Sequence, residues 1–514
     1  MNTKQLKAKV LDLAIHGKLL SPETVAELKK SPDYETADVL LEKIRKEKEE
    51  KIAKGELKRD KKDSYIFVGD DKRHYEKFAD GTVKDIEDEI PFDVPEGWAW
   101  CRLGYICSLY DGDKIEKQLQ YLDAKHFRGK STTICNSGKY VAENSYLILV
   151  DGENSGEVFY TETAGFQGST FKILNINTII FNKYVLYLIR KEQDLLRNSK
   201  VGSAIPHLNK QLFKDLLIPI PSFLEQKKLV STTDKAFNTI DELENNKIEL
   251  STVITKTKAK ILDLAIHGKL VPQDANEEPA SVLLEKLRAE KEEKIAKGEL
   301  KRDKNDSYIY KGSDNCYYQR FADGREEDIS DEIPFEVPSN WTWTRIGAIS
   351  NKITDGEHNT PKRVSTFQGF YLLSARNIQN GYISLNDVDY VDEDEFLRIH
   401  KRCNPQKGDV LISCSGSVGR CTVIEDNNKY VMVRSAAMIS STVINTKYLM
   451  YVIQSQELQN QIEDSSKQTA QANLFQAAIA DLLIPLPPSN EQSRIINKIE
   501  ELYIKLELIM QNID

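Results

Sequence analysis

The stretch KAKVLDLAIHGKLL at residues 7–20 returns almost unchanged as KAKILDLAIHGKLV at residues 258–271, with 12 of 14 positions identical. A longer charged stretch, LLEKIRKEKEEKIAKGELKRDKKDSYIF at residues 40–67, returns at residues 283–310 with 24 of 28 positions identical. Two further blocks complete each copy: residues 78–104 match residues 321–347, and residues 215–226 match residues 481–492. Internal repetition is the mark of a duplicated architecture. The sequence therefore predicts two similar units within 514 residues.

The interior of each copy is different. Residues 105–214 and residues 348–480 do not align beyond fragments. Near-identity outside and divergence inside favour one scaffold that carries two different binding surfaces. The alternative is two domains whose surfaces diverged because nothing constrained them.

The segment that follows each closing block has apolar residues at heptad spacing. In the centre of the chain the heptad positions are Leu229, Thr233, Ala236, Ile240, Leu243, Lys247, Leu250, Ile254, Thr257, Ile261 and Leu264. The C-terminus repeats the first part of this frame with Ile495, Ile499, Leu502, Leu506 and Ile509, and the N-terminus repeats the last part with Leu6, Val10 and Leu13. We therefore expect the central helix to pair with both terminal helices. A helix of about 40 residues spans roughly 60 Å, the length of a rigid spacer.

These patterns predict the fold class. All four tryptophans stand in W-x-W pairs, Trp98 with Trp100 and Trp341 with Trp343, after a P-x-x-V-P stretch that is typical of a strand entering a new domain. We expect an α+β chain with two mixed, strand-rich domains. A long antiparallel coiled coil of the central, N-terminal and C-terminal helices separates them, in a pseudo-twofold circular arrangement. The expected divisions are an N-terminal helix (1–20), a first domain with a charged helical extension (21–222), a central helical spacer (223–272), a second domain with its extension (273–488) and a C-terminal helix (489–514).

Individual residues indicate where the helices end and which of them face solvent. Gly17 and Gly268 each follow a histidine at the end of a helical pattern and are expected to be C-terminal caps. His16 and His267 are expected to contact those helix ends. The charged runs at residues 42–51 and 285–294 place Glu and Lys four residues apart, which indicates solvated helices or, alternatively, a surface on which a partner docks.

Composition excludes several classes. No apolar run is long enough to cross a membrane, and the N-terminus does not resemble a secretion signal. The seven cysteines contain no C-x-x-C pair, so we interpret them as reduced thiols of a cytoplasmic protein. The net charge of −9 argues weakly against nucleic acid, but residues 101–215 hold 15 Lys and Arg against 12 Asp and Glu. A neutral or mildly basic binding face inside an acidic chain is therefore compatible with the sequence.

Catalytic motifs are missing from the sequence. The chain has neither the [DNS]-P-P-[YF] turn nor the glycine-rich cofactor loop of a DNA methyltransferase, and it has no zinc-type Cys and His cluster. RGKST at residues 128–132 resembles the end of a phosphate-binding loop, but Ala124 stands where that loop needs its first glycine. We therefore expect no catalytic residue, no cofactor and no metal site.

The layout resembles that of the specificity subunits of type I restriction-modification systems. In the second domain DGEHNTP (355–361), SARNIQNG (374–381) and GDVLISCSGSVG (408–419) look like motifs of that family, and both domains end in IP-x-P followed by EQ. The first domain departs from the pattern, with only DGD at residues 111–113 and GENSG at residues 152–156. The resemblance implies two target-recognition domains that read a bipartite, asymmetric DNA target.

The resemblance also implies site residues and partners. The polar loops before each closing block resemble the DNA-facing loop of the family, and amide and cationic side chains suit the reading of base edges. The candidates are Lys200, Ser203, His207, Asn209, Lys467, Gln468, Gln471 and Asn473, with Arg376, Asn377 and Arg420 as further contacts to phosphate or base. Ordinary solvated loop residues are the alternative. The implied partners are double-stranded DNA, two methyltransferase subunits and, through them, restriction subunits.

Two other functions compete with this interpretation. A stand-alone DNA-binding regulator with two domains would share the polar loops but gives no reason to preserve the charged helices. An enzyme of unknown type would need a catalytic constellation, and none is visible in the sequence.

Overall fold

The structure is a computed structural model that describes residues 2–59, 63–199, 207–298, 306–427, 429–466 and 473–512. The chain forms two compact units, Met1–Asn246 and Lys247–Asp514. No helix in these described ranges is both long and apolar enough to cross a membrane.

The first unit combines helices with short strands. Its helices are α1 (Thr3–Ile15), α2 (Pro22–Lys29), α3 (Ala37–Ala53), α4 (Leu103–Ile106), α5 (Ala124–Phe127), α6 (Asn182–Lys191), α7 (Gln193–Asn198), α8 (Lys210–Asp215) and the start of α9 (Phe223–Ile266). Its strands are β1 (Ser64–Val68), β2 (His74–Phe78), β3 (Val83–Asp85), β4 (Ala99–Arg102), β5 (Cys107–Tyr110), β6 (Lys114–Leu122), β7 (Ile134–Val141), β8 (Ser145–Leu149), β9 (Val158–Thr161), β10 (Gly165–Gln167), β11 (Phe171–Ile176) and β12 (Leu217–Ile220).

The second unit contains the end of α9 and repeats much of this order. Its other helices are α10 (Ala280–Ala296), α11 (Ile346–Ile349), α12 (Glu393–His400), α13 (Thr446–Ile453), α14 (Gln456–Ser466), α15 (Gln476–Asp481) and α16 (Ser489–Gln511). Its strands are β13 (Ser307–Lys311), β14 (Tyr317–Phe321), β15 (Glu326–Asp328), β16 (Thr342–Arg345), β17 (Lys352–Asp355), β18 (Phe370–Leu373), β19 (Ile378–Gln379), β20 (Tyr382–Ile383), β21 (Asp389–Val391), β22 (Val410–Ser413), β23 (Cys421–Val423), β24 (Tyr430–Met432), β25 (Ala436–Ser440) and β26 (Leu483–Leu486).

The third and last repeated blocks of each unit, residues 78–104 with 215–226 and residues 321–347 with 481–492, pair with each other. Strand β4, which carries the W-x-W pair, lies antiparallel to the I-P-x-P strand β12, with Trp100 opposite Pro219. Strands β16 and β26 repeat this pairing, with Trp343 opposite Pro485. Each sheet has only two strands, so both are edge strands, where proline is tolerated. The repeated blocks thus close each divergent interior at its base.

The EQ residues that follow each closing strand connect the two-stranded sheet to the helix that comes next. Glu491 is fully buried and accepts a hydrogen bond from Nε1 of Trp341 at 3.0 Å. Gln492 accepts from the backbone N–H of Asn445 at 2.8 Å and donates to the carbonyl of Pro487 at 3.0 Å. Burial raises the pKa of Glu491, and the Trp341 bond opposes that shift.

The first unit makes the same contacts with its own residues. Nε1 of Trp98 donates to Glu225 at 3.4 Å, and Gln226 accepts from the N–H of Phe181 at 2.8 Å. The repetition of W-x-W and EQ therefore has a structural cause, because the first tryptophan of each W-x-W pair donates a hydrogen bond to the glutamate of the EQ in the same unit.

A four-stranded sheet forms the centre of each interior. Its order is β5-β11-β8-β9 in the first unit and β17-β25-β22-β23 in the second. The chain order of these strands is the same in both units, although their sequences do not align. The two interiors therefore share a sheet topology that sequence comparison alone did not reveal.

The charged runs are helical, as predicted, and lie in α3 and α10. Each is followed by a three-stranded antiparallel sheet, β1-β2-β3 or β13-β14-β15. The sequence analysis assigned these segments only to a charged helical extension, so the small sheets are an addition to the predicted fold.

The terminal helices contact α9 in the antiparallel sense. In the first unit Lys7 of α1 forms an ion pair with Asp241 and lies 5.6 Å from the ring centroid of Phe237, while Ala14 shares a core cluster with Leu229. In the second unit α16 contacts α9 in the same antiparallel sense.

Lys258 of α9 pairs with Glu507 at 3.2 Å, and its carbonyl accepts from the Tyr503 hydroxyl at 3.3 Å. Further along, Ile261 and Ile499 belong to one core cluster. Residue numbers rise along α9 as they fall along α16, so these two helices also run antiparallel.

The prediction that one continuous heptad stripe is buried along α9 is wrong for the middle of this helix. Its ends are buried at Leu229, Thr233, Ile254 and Ile261, but residues 241–249 are all exposed, and Leu243 is 60% exposed. A heptad pattern identifies an apolar stripe but not the length over which another helix covers it.

The predicted helix caps are confirmed. Gly17 and Gly268 have φ of 66° and 65°, the left-handed conformation that favours glycine. Nδ1 of His16 bonds the carbonyl of Asp12 at 2.7 Å, and His267 repeats this with Asp263. Both histidines therefore contact a helix end, as expected.

Candidate nucleic-acid interface

One end of each four-stranded sheet gathers the polar turns, and we name it the loop end. In the first unit β5 and β8 finish there and β11 begins there, since Ile173 lies opposite Tyr110 and Phe171 lies opposite Leu149. In the second unit Asp355 lies opposite Ala437, and Ser413 lies opposite Ala436. The segments that leave these strand ends are therefore neighbours in space.

The first feature of the loop end is an Asp-Gly turn. Asp111 and Gly112 follow β5, while Asp355 ends β17 and Gly356 follows it. A Cβ on Gly112 would lie 1.9 Å from the carbonyl oxygen of Tyr140, and one on Gly356 would lie 2.3 Å from that of Met432. The first domain thus keeps the Asp-Gly pair of the longer motif for the same steric reason as the second.

Each aspartate of these turns is neutralised by different partners. Hydrogen bonds from Lys172 at 2.5 Å and then Lys139 at 2.9 Å hold the pKa of Asp111 well below its usual range. Because these residues lie at the loop end, the first unit presents two lysines there.

The second unit uses a different set. Asp355 accepts from His358 at 2.6 Å, from Arg402 at 2.8 Å and from Gln476 at 2.5 Å. Burial raises the pKa of Asp355, but the hydrogen bonds from His358, Arg402 and Gln476 and the charge of His358 together lower the pKa below its ordinary value. A shared turn therefore holds different donors in the two units.

The second feature is the point at which each predicted DNA-facing loop rejoins the sheet. His207 forms a β-bridge with Asp151, and its Nδ1 lies 2.6 Å from the Asp151 carboxylate. Asn473 forms the equivalent bridge with Ser415. The next residue continues the match, because Leu208 N–H donates to the Val150 carbonyl and Leu474 N–H to that of Cys414. The loops thus end at the loop end of each sheet.

The predicted contact residues are placed unevenly. Lys200, Ser203, Lys467, Gln468 and Gln471 lie outside the described residues. His207 is exposed, and Asn473 is half-buried. The Asn209 side chain accepts from the N–H of Leu212 at 3.0 Å and so caps α8. Only part of its carboxamide is available to DNA.

The SARN turn of the second unit uses most of its polar groups internally. Asn377 is fully buried, accepts from Ser374 and donates to the carbonyl of Ser384 at 3.1 Å. Arg420 donates to the Ala375 carbonyl at 2.7 Å and to Gln379 at 2.9 Å. These contacts support structural roles for both side chains, and a DNA contact of the half-buried Arg420 stays a prediction.

Arg376 remains a candidate. Its half-exposed guanidinium pairs with Asp387 and Asp389, each at 3.1 Å. A phosphate would have to compete with both carboxylates for this arginine.

Most of the cysteine thiols are held away from solvent. All seven are free, and five are buried. Burial raises the pKa of Cys403, Cys414 and Cys421 to about 12. Among the described residues no cluster of His, Cys, Asp and Glu could hold a metal ion.

Sequence reasoning missed several residues of this site. His358 lay inside a quoted motif, yet the motif did not show that its ring faces Asp355. Arg402, Lys139 and Lys172 had no local signal at all, because only the fold brings them to the Asp-Gly turns.

The two units share one sheet topology, but the side chains at their loop ends differ. This arrangement defines a duplicated recognition protein. The family model of the type I restriction modification DNA specificity domain matches residues 95–251 and again residues 338–514. The chain belongs to this family, and DNA sequence specificity is its function.

Relatives and a solved structure are similar along most of the chain. The specificity subunits of the type I restriction enzymes EcoAI and EcoEI of Escherichia coli are each 24% identical over 97% of this chain and cover 88% and 89% of their own lengths. The MjaVIII specificity subunit of Methanocaldococcus jannaschii is 21% identical over 81% of this chain and 88% of its own. A chain solved in work on assembly and conformational transition of the type I R-M system aligns with a TM-score of 0.50 at 14% identity, over 82% of this chain and 94% of that one. That likeness shows the fold.

Proposed function

We propose that this chain is the non-catalytic specificity subunit of a type I restriction-modification complex, and that each unit reads one half of a bipartite, asymmetric target through its loop end. The observation that carries the proposal is the loop end itself, which is built twice on one topology but holds Lys139 and Lys172 in one unit and His358, Arg402 and Gln476 in the other. Different donors on a shared frame are suited to different half-sites.

The chemistry of the loop end fits this role. Cations such as Lys172 and Arg402 suit phosphate oxygens, which fix register without reading sequence. Amides such as those of Asn473 and Gln471 suit the bidentate pattern of adenine. The proposed reader in each unit is therefore the amide-bearing loop, positioned by the cations around the Asp-Gly turn.

Replacing Asn473 with alanine tests this arrangement. We expect discrimination at one position of one half-site to fall by about 1 to 3 kcal/mol, because a bidentate amide contact is lost, while the other half-site stays unchanged. Sequencing of the sites methylated by the assembled complex measures this effect. Asn490→Ala, which removes an exposed amide at the start of α16, is the matched control. Equal target profiles for Asn473→Ala and wild type would contradict the assignment.

The helical regions are the proposed docking surfaces for two methyltransferase subunits, one for each copy of the repeat. The charged helices α3 and α10 are nearly identical, although most of their side chains face solvent. In the second unit Ile248, Val253 and Ile504 are 60%, 55% and 58% exposed, and a docked subunit would remove such apolar side chains from water. Restriction subunits would join through the methyltransferases. A stand-alone regulator is not favoured by the family match.

Titration of the chain with its methyltransferase tests both catalysis and stoichiometry. We expect no methyl transfer from the chain alone and activity that saturates at two methyltransferase copies per chain, because the docking sequences occur twice. Radiolabelled methyl transfer and the mass of the complex are the measurements. Activity without methyltransferase, or saturation at one copy, would each overturn part of the proposal.

The finer fold follows from the same duplication. We propose that α1 and α16 act as the antiparallel partners of α9, in a pseudo-twofold circular arrangement with the divisions expected from the sequence. The antiparallel contacts within each unit support this arrangement, in which α9 is the proposed spacer between the two target-recognition domains.

A further inference from the structure

The first unit carries a polar β-ribbon that the sequence did not indicate. Strands β6 and β7 pair antiparallel from Lys114 opposite Lys139 to Gln120 opposite Ile134. The register shifts between Glu116 and Leu119. Glu116 lies opposite Ser137 and Leu119 opposite Cys135, so Lys117 and Gln118 together face Asn136. Two residues opposite one form a β-bulge, a device that re-aims side chains at functional sites.

The three side chains at this bulge are exposed. Within the described part of the chain no hydrogen bond or ion pair engages the side chains of Lys117, Gln118 or Asn136. Lys139, at the base of the ribbon, differs because it is paired with Asp111. The bulge therefore presents one ammonium group and two carboxamides to solvent.

The fold fixes this ribbon at the loop end. The N–H of Tyr140 donates to the carbonyl of Asp113 at 2.8 Å, directly after the Asp-Gly turn. The short strand β10 pairs with the C-terminal residues of β6 and with those of β7, and the three strands close a small barrel. Leu122 and Val141 pack with Phe171 of the sheet in one core cluster. The ribbon is thus tied at both ends, and the bulge between them keeps its three side chains exposed.

The second unit has a reduced counterpart. Strand β18 pairs parallel with β24, as β6 does with β10, but β18 and its antiparallel neighbour β21 are only 4 and 3 residues long. Strands β6 and β7 have 9 and 8 residues. Among the described residues the long ribbon is therefore a property of the first unit.

We propose that the β6–β7 ribbon enters the major groove and that Lys117, Gln118 and Asn136 contact base edges of the half-site read by the first unit. The major groove admits a two-stranded ribbon, amides pair with adenine, and lysine pairs with guanine. The inference rests on the proposed function, because it assumes that the loop end faces DNA. The inference adds a second base-contacting element to the first unit, separate from the loop that precedes its closing strand β12.

The test uses Gln118→Ala and Asn136→Ala in the complete complex with its methyltransferase. Sequencing of methylated sites should show about fivefold to a hundredfold relaxed discrimination at one or two positions of one half-site. The other half-site serves as an internal control, because a misfolded unit would abolish methylation instead of relaxing one position. Lys117→Ala should also weaken this half-site.

Glu116→Ala is the matched control, since Glu116 is exposed on the same strand but its carboxylate is repelled by phosphate. We expect it to leave the target sequence unchanged. Unchanged targets for both Gln118→Ala and Asn136→Ala would overturn the inference.

Asn473→Ala separates the two proposals. If it relaxes the other half-site while the ribbon variants have no effect, the ribbon inference fails and the loop-end proposal stands. If Asn473→Ala and both ribbon variants leave recognition unchanged, the loop-end proposal fails too.

Discussion

Gly112→Ala is expected to destabilise the first unit by about 3 kcal/mol or more and to abolish recognition of its half-site. The added Cβ would lie 1.9 Å from the carbonyl oxygen of Tyr140, and a backbone atom cannot escape by a rotamer change. Overpacking typically costs about 1–3 kcal/mol, and this contact requires the Asp-Gly turn and β7 to separate. Gly356→Ala should act in the same way on the second unit through Met432. Hydrogen exchange measured separately for peptides of each unit would locate the loss of stability.

Gly129→Ala is the control for this experiment. Gly129 has φ of 68° with no atom within 4 Å of a built Cβ, so its substitution tests the cost of backbone conformation without a clash. That cost is about 1–2 kcal/mol. If Gly112→Ala destabilised the first unit no more than Gly129→Ala does, the turn would not be as closely packed as the structure shows.

The repeated sequence blocks predicted the parts of the fold that depend on local pattern. The helix ends at Gly17 and Gly268 followed from residue type, because few other residues adopt a left-handed cap. The charged helices and the division into two units followed from spacing and self-comparison. Helix caps and helices depend on residues that are close in sequence, and a duplication is visible when the sequence is compared with itself. These features could therefore be predicted.

Features that depend on distant residues could not be predicted. Trp341 and Glu491 are 150 positions apart, and their hydrogen bond explains two motifs that the sequence presented as separate. Arg402 reaches Asp355 across 47 positions. Asn377 has a residue type suited to base contacts, but the fold buries it completely. Leu243 fits the heptad, yet it is exposed.

The exposure of the middle of α9 also improves the design of a spacer experiment. Residues 241–249 are all exposed, so a heptad inserted after Glu244 interrupts no buried contact of α1 or α16. Seven residues lengthen a helix by about 10 Å and turn its face by only about 20°. Both units should therefore keep their folds and their half-sites.

With this insertion we expect the gap between the two half-sites to grow by about three base pairs, because 10 Å corresponds to about three steps of 3.4 Å along B-form DNA. Sequencing the sites methylated by the variant complex gives the new spacing directly. The half-site sequences should persist, since the loop ends are untouched. A seven-residue insertion at Gly81, in the turn between β2 and β3, is the control, because it adds the same mass away from α9.

The rate of methylation by the insertion variant should fall even if the gap between its half-sites grows with the length of α9. Three added base pairs turn the second half-site by about 100° around the DNA axis, whereas the heptad turns α9 by only about 20°. The complex must twist DNA or bend α9 to engage both halves, and smooth deformation of a short duplex costs on the order of a few kcal/mol. A slower variant with a longer gap would therefore identify α9 as the element that sets spacing. An active variant that retained the original gap would show instead that the spacing is set elsewhere in the complex.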